Sequence, residues 1–140
     1  MKLRTVLGLL LLTLIGAVPS RAEETLDTAR AVIARQIDAL THGDDATAYA
    51  LAAPGIRSLF PDQARFSAMV SRSYAPLRKA GRYAFGRARS VEDGAIVYQE
   101  VMIDGEGSDW TCVYEMRRQD DGDYRVNGVR LIKNTTSTGI

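Results

Sequence analysis

The sequence is poor in the residues that most often bind transition metals or relay protons, since it holds one cysteine and one histidine in 140 residues. A transition-metal site needs several converging ligands, and a nucleophile–histidine–acid triad needs a histidine with partners nearby. His42 and Cys112 lie far apart in sequence and on different predicted elements. We therefore expect no metal, no cofactor and no triad, and we assign His42 to a helix end.

A single cysteine also excludes an internal disulfide. Cys112 lies within an apolar strand pattern, which favours a buried small hydrophobe, and an intermolecular bond is the alternative. An exported chain without internal disulfides fits a bacterial periplasm better than a eukaryotic extracellular space.

The sequence also lacks a strong excess of either positive or negative charge, because 18 basic and 17 acidic residues give a formal net charge of +1. Removal of residues 1–22, which contain Lys2, Arg4 and Arg21, would leave 15 basic and 17 acidic residues and a charge of −2. Neither balance predicts nucleic acid or an anionic membrane surface as a partner. No glycine-rich phosphate loop is present.

The longest apolar run, residues 6–18, is shorter than the ~20 apolar residues that a membrane-crossing helix needs. A basic head precedes it, and Pro19 and the segment 20–22 follow it. This order is typical of a secretory signal peptide, here residues 1–22 with cleavage after Ala22. We expect a periplasmic or secreted bacterial protein that leaves the membrane after cleavage; an uncleaved N-terminal anchor is the alternative.

Residues 23–133 predict a single domain, and residues 134–140 predict a flexible tail. Up to Gly81 the apolar periodicity is helical. We expect a first helix capped by Thr25, a second over residues 46–53 capped by Asp44 or Asp45, and another capped by Asp62. Pro54 should end the second helix, and the basic segment 78–82 predicts a solvated turn.

Alternating residues after Gly81 predict an antiparallel meander of four strands, over residues 83–91, 95–104, 109–119 and 124–133. Asp93-Gly94 and Asp121-Gly122 predict tight hairpins, in which both central residues take positive φ. Several strands are partly apolar on both faces. We therefore expect an α+β fold with helices on one face of a curved sheet and a partner on the other.

Helices followed by a long-stranded meander resemble the cone-shaped nuclear transport factor 2-like superfamily. A narrower resemblance, to the domain of unknown function 4864 family, spans nearly the whole chain after residue 22. Its motifs are Asp44-Asp45-Ala46, Tyr49, Ala52-Ala53-Pro54-Gly55-Ile56, Phe60, Phe66, Met69-Val70, Tyr74 and Pro76, then Trp110, Tyr114-Glu115-Met116, Arg118-Gln119, Asp121-Gly122, Arg125-Val126 and Gly128. The resemblance implies a cone with a partly covered concave sheet and assigns no reaction.

Two carboxylates are the candidate catalytic groups. Asp38 lies at the edge of the first helix's apolar stripe, and Glu100 alternates with Tyr98 and Met102 on a strand. A carboxyl group buried in such surroundings would have a raised pKa suited to general acid–base catalysis. The alternative is that both face water or pair with arginines.

Candidate ligand contacts are the side chains that combine an apolar body with a polar or polarisable atom. They are Tyr49, Met69, Tyr74, Trp110 and Tyr114. Each could equally be an ordinary core residue.

Three hypotheses follow. The first is a non-catalytic domain that binds a small apolar or amphipathic ligand, or a protein partner, in its cone. The second is a cofactor-free enzyme, of the isomerase or hydratase type, that transfers protons with a carboxylate and a tyrosine. The third is a homodimer built on the outer face of the sheet, the face without helices, with Val97, Val101, Ile103 and Val113 as its apolar centre.

Overall fold

Five helices precede four strands in the computed structural model, which describes residues 16–105 and 107–135. The helices are α1 Arg21–Thr41, α2 Asp45–Ala50, α3 Pro54–Leu59, α4 Gln63–Ser73 and α5 Ala75–Arg78. The strands are β1 Tyr83–Val91, β2 Ile96–Gly105, β3 Ser108–Arg118 and β4 Tyr124–Lys133. The predicted α+β order is confirmed. Most of the predicted signal segment, residues 1–15, and residues 136–140 of the predicted tail lie outside the described residues.

Helix α1 begins five residues earlier than the Thr25 cap predicts, because its cap is Ser20. Ser20 is its N-cap: the Ser20 hydroxyl accepts from the Glu23 amide, and the Glu23 carboxylate accepts from the Ser20 amide, both at 3.2 Å. This reciprocal capping box satisfies two amides that the helix leaves free. The expected cleavage point after Ala22 therefore lies in the first turn of α1.

The second predicted helix is too long, because α2 ends at Ala50. Asp44 caps it as expected, by accepting from the Thr47 amide at 3.1 Å. The next residues pair with β4 instead: the Ala53 amide donates to the Val126 carbonyl at 2.8 Å. Pro54 then starts α3 rather than merely ending α2, since proline suits the first turn of a helix.

The sheet is a four-stranded antiparallel meander in the order β1-β2-β3-β4. All four strands lie within one residue of their predicted bounds. Between β3 and β4, however, Gly122 has positive φ (85°) and Asp121 does not. The Gly122 amide donates to the Gln119 carbonyl at 2.9 Å, which closes a three-residue loop with a left-handed glycine in place of the expected two-residue turn.

Helices cover one face of the sheet, called the inner face below, and leave the opposite, outer face open. The inner face carries Val97, Gln99, Val101, Ile103, Cys112, Tyr114, Met116 and Val126, all of them buried. The homodimer hypothesis placed Val97, Val101 and Ile103 on the outer face, and that placement is wrong. Because both faces of β2 are partly apolar, its alternation does not say which face the helices cover.

The core lies between the inner face and the apolar stripe of α1. Ala29, Val32, Ile33, Ile37 and Leu40 recur at spacings of three and four, and every one is buried. α4 and α5 complete this layer with Phe66, Val70 and Leu77. Within the described ranges, no helix is long and apolar enough to span a bilayer.

Candidate functional site

A cavity of about 350 Å³ lies where the helical layer meets the edge strand β4. Helices α3, α4 and α5 form its walls. Its apolar lining includes Leu40, Ile56, Phe66, Met69, Leu77 and Val129. Leu59, whose side chain also borders the cavity, is 72% exposed. The cavity is therefore a partly open apolar space with an exposed apolar residue at its border.

Two tyrosines fix the walls of this cavity. The Tyr49 hydroxyl donates to the Phe60 carbonyl at 2.6 Å and so holds the end of α3 against α2. The Tyr74 hydroxyl donates to the Val129 carbonyl at 2.8 Å and joins the end of α4 to β4. Both hydrogen bonds are made to backbone carbonyls of distant parts of the chain. The opening between helices and sheet is thus set by side-chain contacts.

Few polar side chains reach the cavity. They are Gln36, Ser73 and Tyr74. Gln36 is buried and donates to the Ala48 carbonyl at 3.3 Å, and the Tyr74 hydroxyl is bound to Val129. The interior consequently favours apolar contacts, with little capacity to hold a charge.

A partly buried ion pair holds the helical wall together. Arg78 in α5 makes two hydrogen bonds to the Asp45 carboxylate in α2, at 2.7 and 3.1 Å. The Ser67 hydroxyl in α4 donates to the same carboxylate. The Arg78 hydrogen bonds lower the pKa of Asp45 most, against a desolvation that raises it. Arg78 therefore belongs to a buried contact, and the solvated turn predicted for residues 78–82 is wrong at this position.

Of the five candidate ligand contacts, Met69 and Tyr74 line the cavity. Tyr49 lies behind the wall, half-buried, with its ring centroid 5.2 Å from that of Phe66. Trp110 lies elsewhere on the inner face, with the Lys133 ammonium 5.9 Å from its ring. Strand alternation places Trp110 and Tyr114 on the inner face, but the packing of the helices decides which side chains border the cavity.

Tyr114 is fully buried in the core, away from the cavity lining. Its hydroxyl has no hydrogen-bond partner among the described residues. Burial raises the pKa of Tyr114 well above its usual range. The side chain fills the core and presents no group to a ligand.

The two candidate carboxylates lie outside the cavity, so the expected pairing of a carboxylate with a cavity tyrosine does not occur. Asp38 has a side chain 77% exposed, and one of its carboxylate oxygens lies 3.3 Å from His42 Nδ1. Glu100 is on the outer face, where its carboxylate accepts from Arg87 at 3.0 and 3.2 Å. Those hydrogen bonds lower the pKa of Glu100, opposite to the raised pKa that a general acid needs.

The cavity lining also contains residues that the sequence reasoning did not select. Ile56, Leu59, Val126 and Val129 line the cavity, and none of them was among the five candidate ligand contacts. An apolar turn directly after a proline is a signal for a short packed helix, but its position over the β4 edge depends on a contact between distant parts of the chain. Among the described residues, no three histidine, cysteine, aspartate or glutamate side chains form a group that could hold a metal ion.

Comparison with known proteins gives one match. A family described as a domain of unknown function (DUF4864) matches residues 22–139. No curated protein matches the chain, and no solved structure does. The match includes all five helices except the first residue of α1, and all four strands. The chain therefore belongs to the DUF4864 family.

Proposed function

We propose that this protein is an exported, non-catalytic domain that binds a small apolar or amphipathic molecule in the cavity between α3, α4, α5 and β4. The observation that carries the proposal is the apolar lining of that cavity. Well-packed cores leave few voids larger than a water molecule, so an apolar space of this size is more typical of a binding site.

The cavity volume limits the size of the ligand. At about 350 Å³ it lies near the lower end of the range for small-molecule sites, about 300 to 1,000 Å³. A water molecule occupies about 30 Å³ of liquid, so the cavity has room for roughly a dozen non-hydrogen atoms. A medium-length acyl chain or a single substituted ring meets this limit. Leu59 at the opening would then be covered by the part of the ligand that protrudes.

Two expectations from the sequence agree with this proposal. The nuclear transport factor 2-like resemblance implies a cone whose helices cover the sheet incompletely, and such a gap lies at the β4 edge here. Residues 1–22 predict export, which would place the domain where it meets extracytoplasmic lipids and small molecules. The partly covered cone and export are therefore both part of what we propose.

A pair of matched variants tests the cavity as the binding site. Met69→Trp puts a large ring into the lining, whereas Met102→Trp adds the same ring on the outer face, where Met102 is 47% exposed. We expect Met69→Trp to abolish the binding of decanoate and of ethylbenzene, both measured by calorimetry, and Met102→Trp to preserve both. Equal binding by both variants would refute the assignment.

Native mass spectrometry of protein released gently from a bacterial periplasm tests the remaining parts. The mass reports whether cleavage follows Ala22, and the charge-state series reports the number of subunits. An additional bound mass in the wild type that Met69→Trp lacks would support the proposal and give the ligand class. A ligand-free wild type that also ignores both probes would exclude it.

A further inference from the structure

The part of the outer face that lies away from the connection between β2 and β3 is biased toward positive charge. By strand register this part carries Arg87, Arg89, Arg117, Arg125 and Arg130 against Glu100 and Glu115, an excess of three positive charges among the described residues. Asp104 and Asp109 lie on the same face, next to that connection. The whole chain has a formal charge of only +1. The excess is therefore local to one part of the outer face, which the helices do not cover.

Most of these charges are already neutralised within the face. Arg87 lies 3.0 Å from a Glu100 oxygen, and Arg117 lies 3.0 Å from a Glu115 oxygen. The Asn127 amide donates to that Glu115 oxygen as well, at 2.9 Å. Arg125 pairs with Asp123 in the loop before β4, at 2.8 Å.

Two arginines remain without a carboxylate partner among the described residues, Arg89 on β1 and Arg130 on β4. The Arg89 guanidinium lies 5.3 Å from the centre of the Tyr98 ring. Both arginines border one shallow groove of about 560 Å³, whose floor includes Tyr98, Val113 and Gly128. Glu115 also lines the groove, but Arg117 already neutralises its charge. A side chain at Gly128 would meet nothing within 4 Å, so the floor is open there.

We infer that this groove, which we name the arginine groove, binds an acidic segment of another protein. Carboxylates on the segment would pair with Arg89 and Arg130, and its backbone would lie across Tyr98 and Val113. Guanidinium groups suit this role because they make directed, paired hydrogen bonds to carboxylates. The inference is independent of the cavity and of its ligand.

The spacing of the two arginines suits an extended peptide with more than one carboxylate. Three strand-to-strand steps separate β1 from β4, which places their backbones about 14 Å apart at ~4.8 Å per step. An extended chain advances about 3.3 Å per residue, so a segment of roughly five residues spans the distance.

Charge also decides against a second copy of this chain and against nucleic acid. Two copies joined through the positive parts of their outer faces would oppose like charges, which disfavours that pairing. Nucleic-acid sites neutralise many phosphates along a stripe of cations. Here two arginines are free of carboxylates, and Glu100 and Glu115 interrupt the face.

Fluorescence anisotropy with a labelled decapeptide of alternating glutamate and serine tests the inference. An extended chain of this pattern presents all its carboxylates on one side. The reference peptide replaces each glutamate by glutamine. We expect the purified protein to bind the glutamate peptide, to bind the glutamine peptide far more weakly, and to lose affinity between about 50 and 200 mM NaCl.

Two double variants test whether peptide binding depends on the arginine groove or on the positive charge of the protein in general. Arg89→Gln with Arg130→Gln should weaken binding of the glutamate peptide roughly tenfold, the effect of losing two exposed ion pairs. The matched control, Arg65→Gln with Arg72→Gln, removes two positive charges from α4 and should leave the affinity unchanged. Equal losses in both double variants, no binding of the glutamate peptide, or equally tight binding of a single-stranded oligonucleotide would each overturn the inference.

Discussion

The two faces of the sheet are built from alternate residues of the same strands, yet they obey different physical constraints. On β2, Ile103 is 1% exposed and its neighbour Met102 is 47% exposed. The inner face is apolar and closed by helices. The outer face is rich in arginine and held by ion pairs. One strand sequence therefore supports a packed core on one side and a charged surface on the other.

The polar groups on the two faces differ in what they stabilise. The Gln99 amide on the inner face donates to the Gly86 and Arg87 carbonyls at 3.1 and 3.2 Å, where β1 has a bulge. The Gln99 amide thereby gives hydrogen bonds to backbone carbonyls that would otherwise be buried without a partner. Outer-face groups pair with each other in water and leave two arginines available. Sites for ligands are thus expected where the core ends, at the β4 edge, and across the charged face.

The largest difference between the faces should appear on truncation. Ile103→Ala removes buried atoms and leaves a cavity, which should lower the free energy of unfolding by about 3 kcal/mol. Met102→Ala should change it by less than about 0.5 kcal/mol, since its side chain is exposed. Urea denaturation followed by circular dichroism measures both. Equal losses would mean that the two faces are covered to the same extent.

Gln99→Met tests whether the buried amide is required. Methionine fills a similar volume but cannot donate to the Gly86 and Arg87 carbonyls or accept from Arg30, which donates to Gln99 at 2.8 Å. Leaving these groups unpaired should cost about 2 kcal/mol of unfolding free energy. Tyr98→Phe, next to it on the outer face, serves as the control and should cost much less. A stable Gln99→Met variant would show that water satisfies the bulge.

The strands could be predicted from the sequence far better than the helices. Alternation and Asp-Gly turns are local signals, and they place β1 and β4 at the bounds the structure has. The end of α2 depends on the pairing of residues 51–53 with Val126, which no local pattern contains. The start of α1 was missed because Ser20 was assigned to the signal segment alone, although it also completes a capping box.

The candidate site could be predicted only in part. Amphipathic character selected Met69 and Tyr74, which line the cavity, but it selected Tyr114 equally, which is buried in the core. Residue type and alternation give the side of a strand, whereas the depth of a side chain depends on which helix packs over it. The arginine groove was not anticipated either, because it depends on which arginines find partners across strands.

The pH dependence of the unfolding free energy should show that Cys112 lies on the buried inner face. Burial raises the pKa of this thiol from 9.0 to about 12. Its stabilising contribution is therefore complete below pH 9 and is lost as the pH rises from 9 toward 12, by about 1.4 kcal/mol per unit once deprotonation begins in the unfolded chain. Subtracting the stability profile of Cys112→Ala isolates this slope.

Thiol reactivity gives an independent readout for the same comparison. Native Cys112 should resist Ellman's reagent until urea unfolds the chain. Thr111→Cys in a Cys112→Ala background moves the thiol to the outer face by one residue and should react in the native state. Rapid reaction of native Cys112 would show that the inner face opens.

Removing the hydroxyl of a buried tyrosine should change the unfolding free energy differently according to whether that hydroxyl has a hydrogen-bond partner. The Tyr124 hydroxyl donates to the Gly94 carbonyl, whereas that of Tyr114 has no partner among the described residues. Tyr124→Phe should lower the unfolding free energy by about 1 kcal/mol. Tyr114→Phe should leave it unchanged or raise it by up to about 1 kcal/mol, because the unpaired group is lost. A loss for Tyr114→Phe would reveal a buried water.

The smallest effect is expected on the outer face, for Glu100→Gln. Hydrogen bonds from Arg87 lower the pKa of Glu100, so any stability it adds is present above the ordinary value of 4.5 and is lost as the pH falls below it. The Arg87 side chain is 90% exposed, so water and salt screen this pair. The urea midpoint at pH 7 should not move measurably.

Asp45→Asn is the contrast: its partner Arg78 is only 20% exposed, and losing the carboxylate would leave a partly buried guanidinium without its counter-charge. A fall in the midpoint for Asp45→Asn but not for Glu100→Gln would show that an ion pair stabilises this fold only where the helices exclude water, whereas equal shifts would contradict the distinction between the faces.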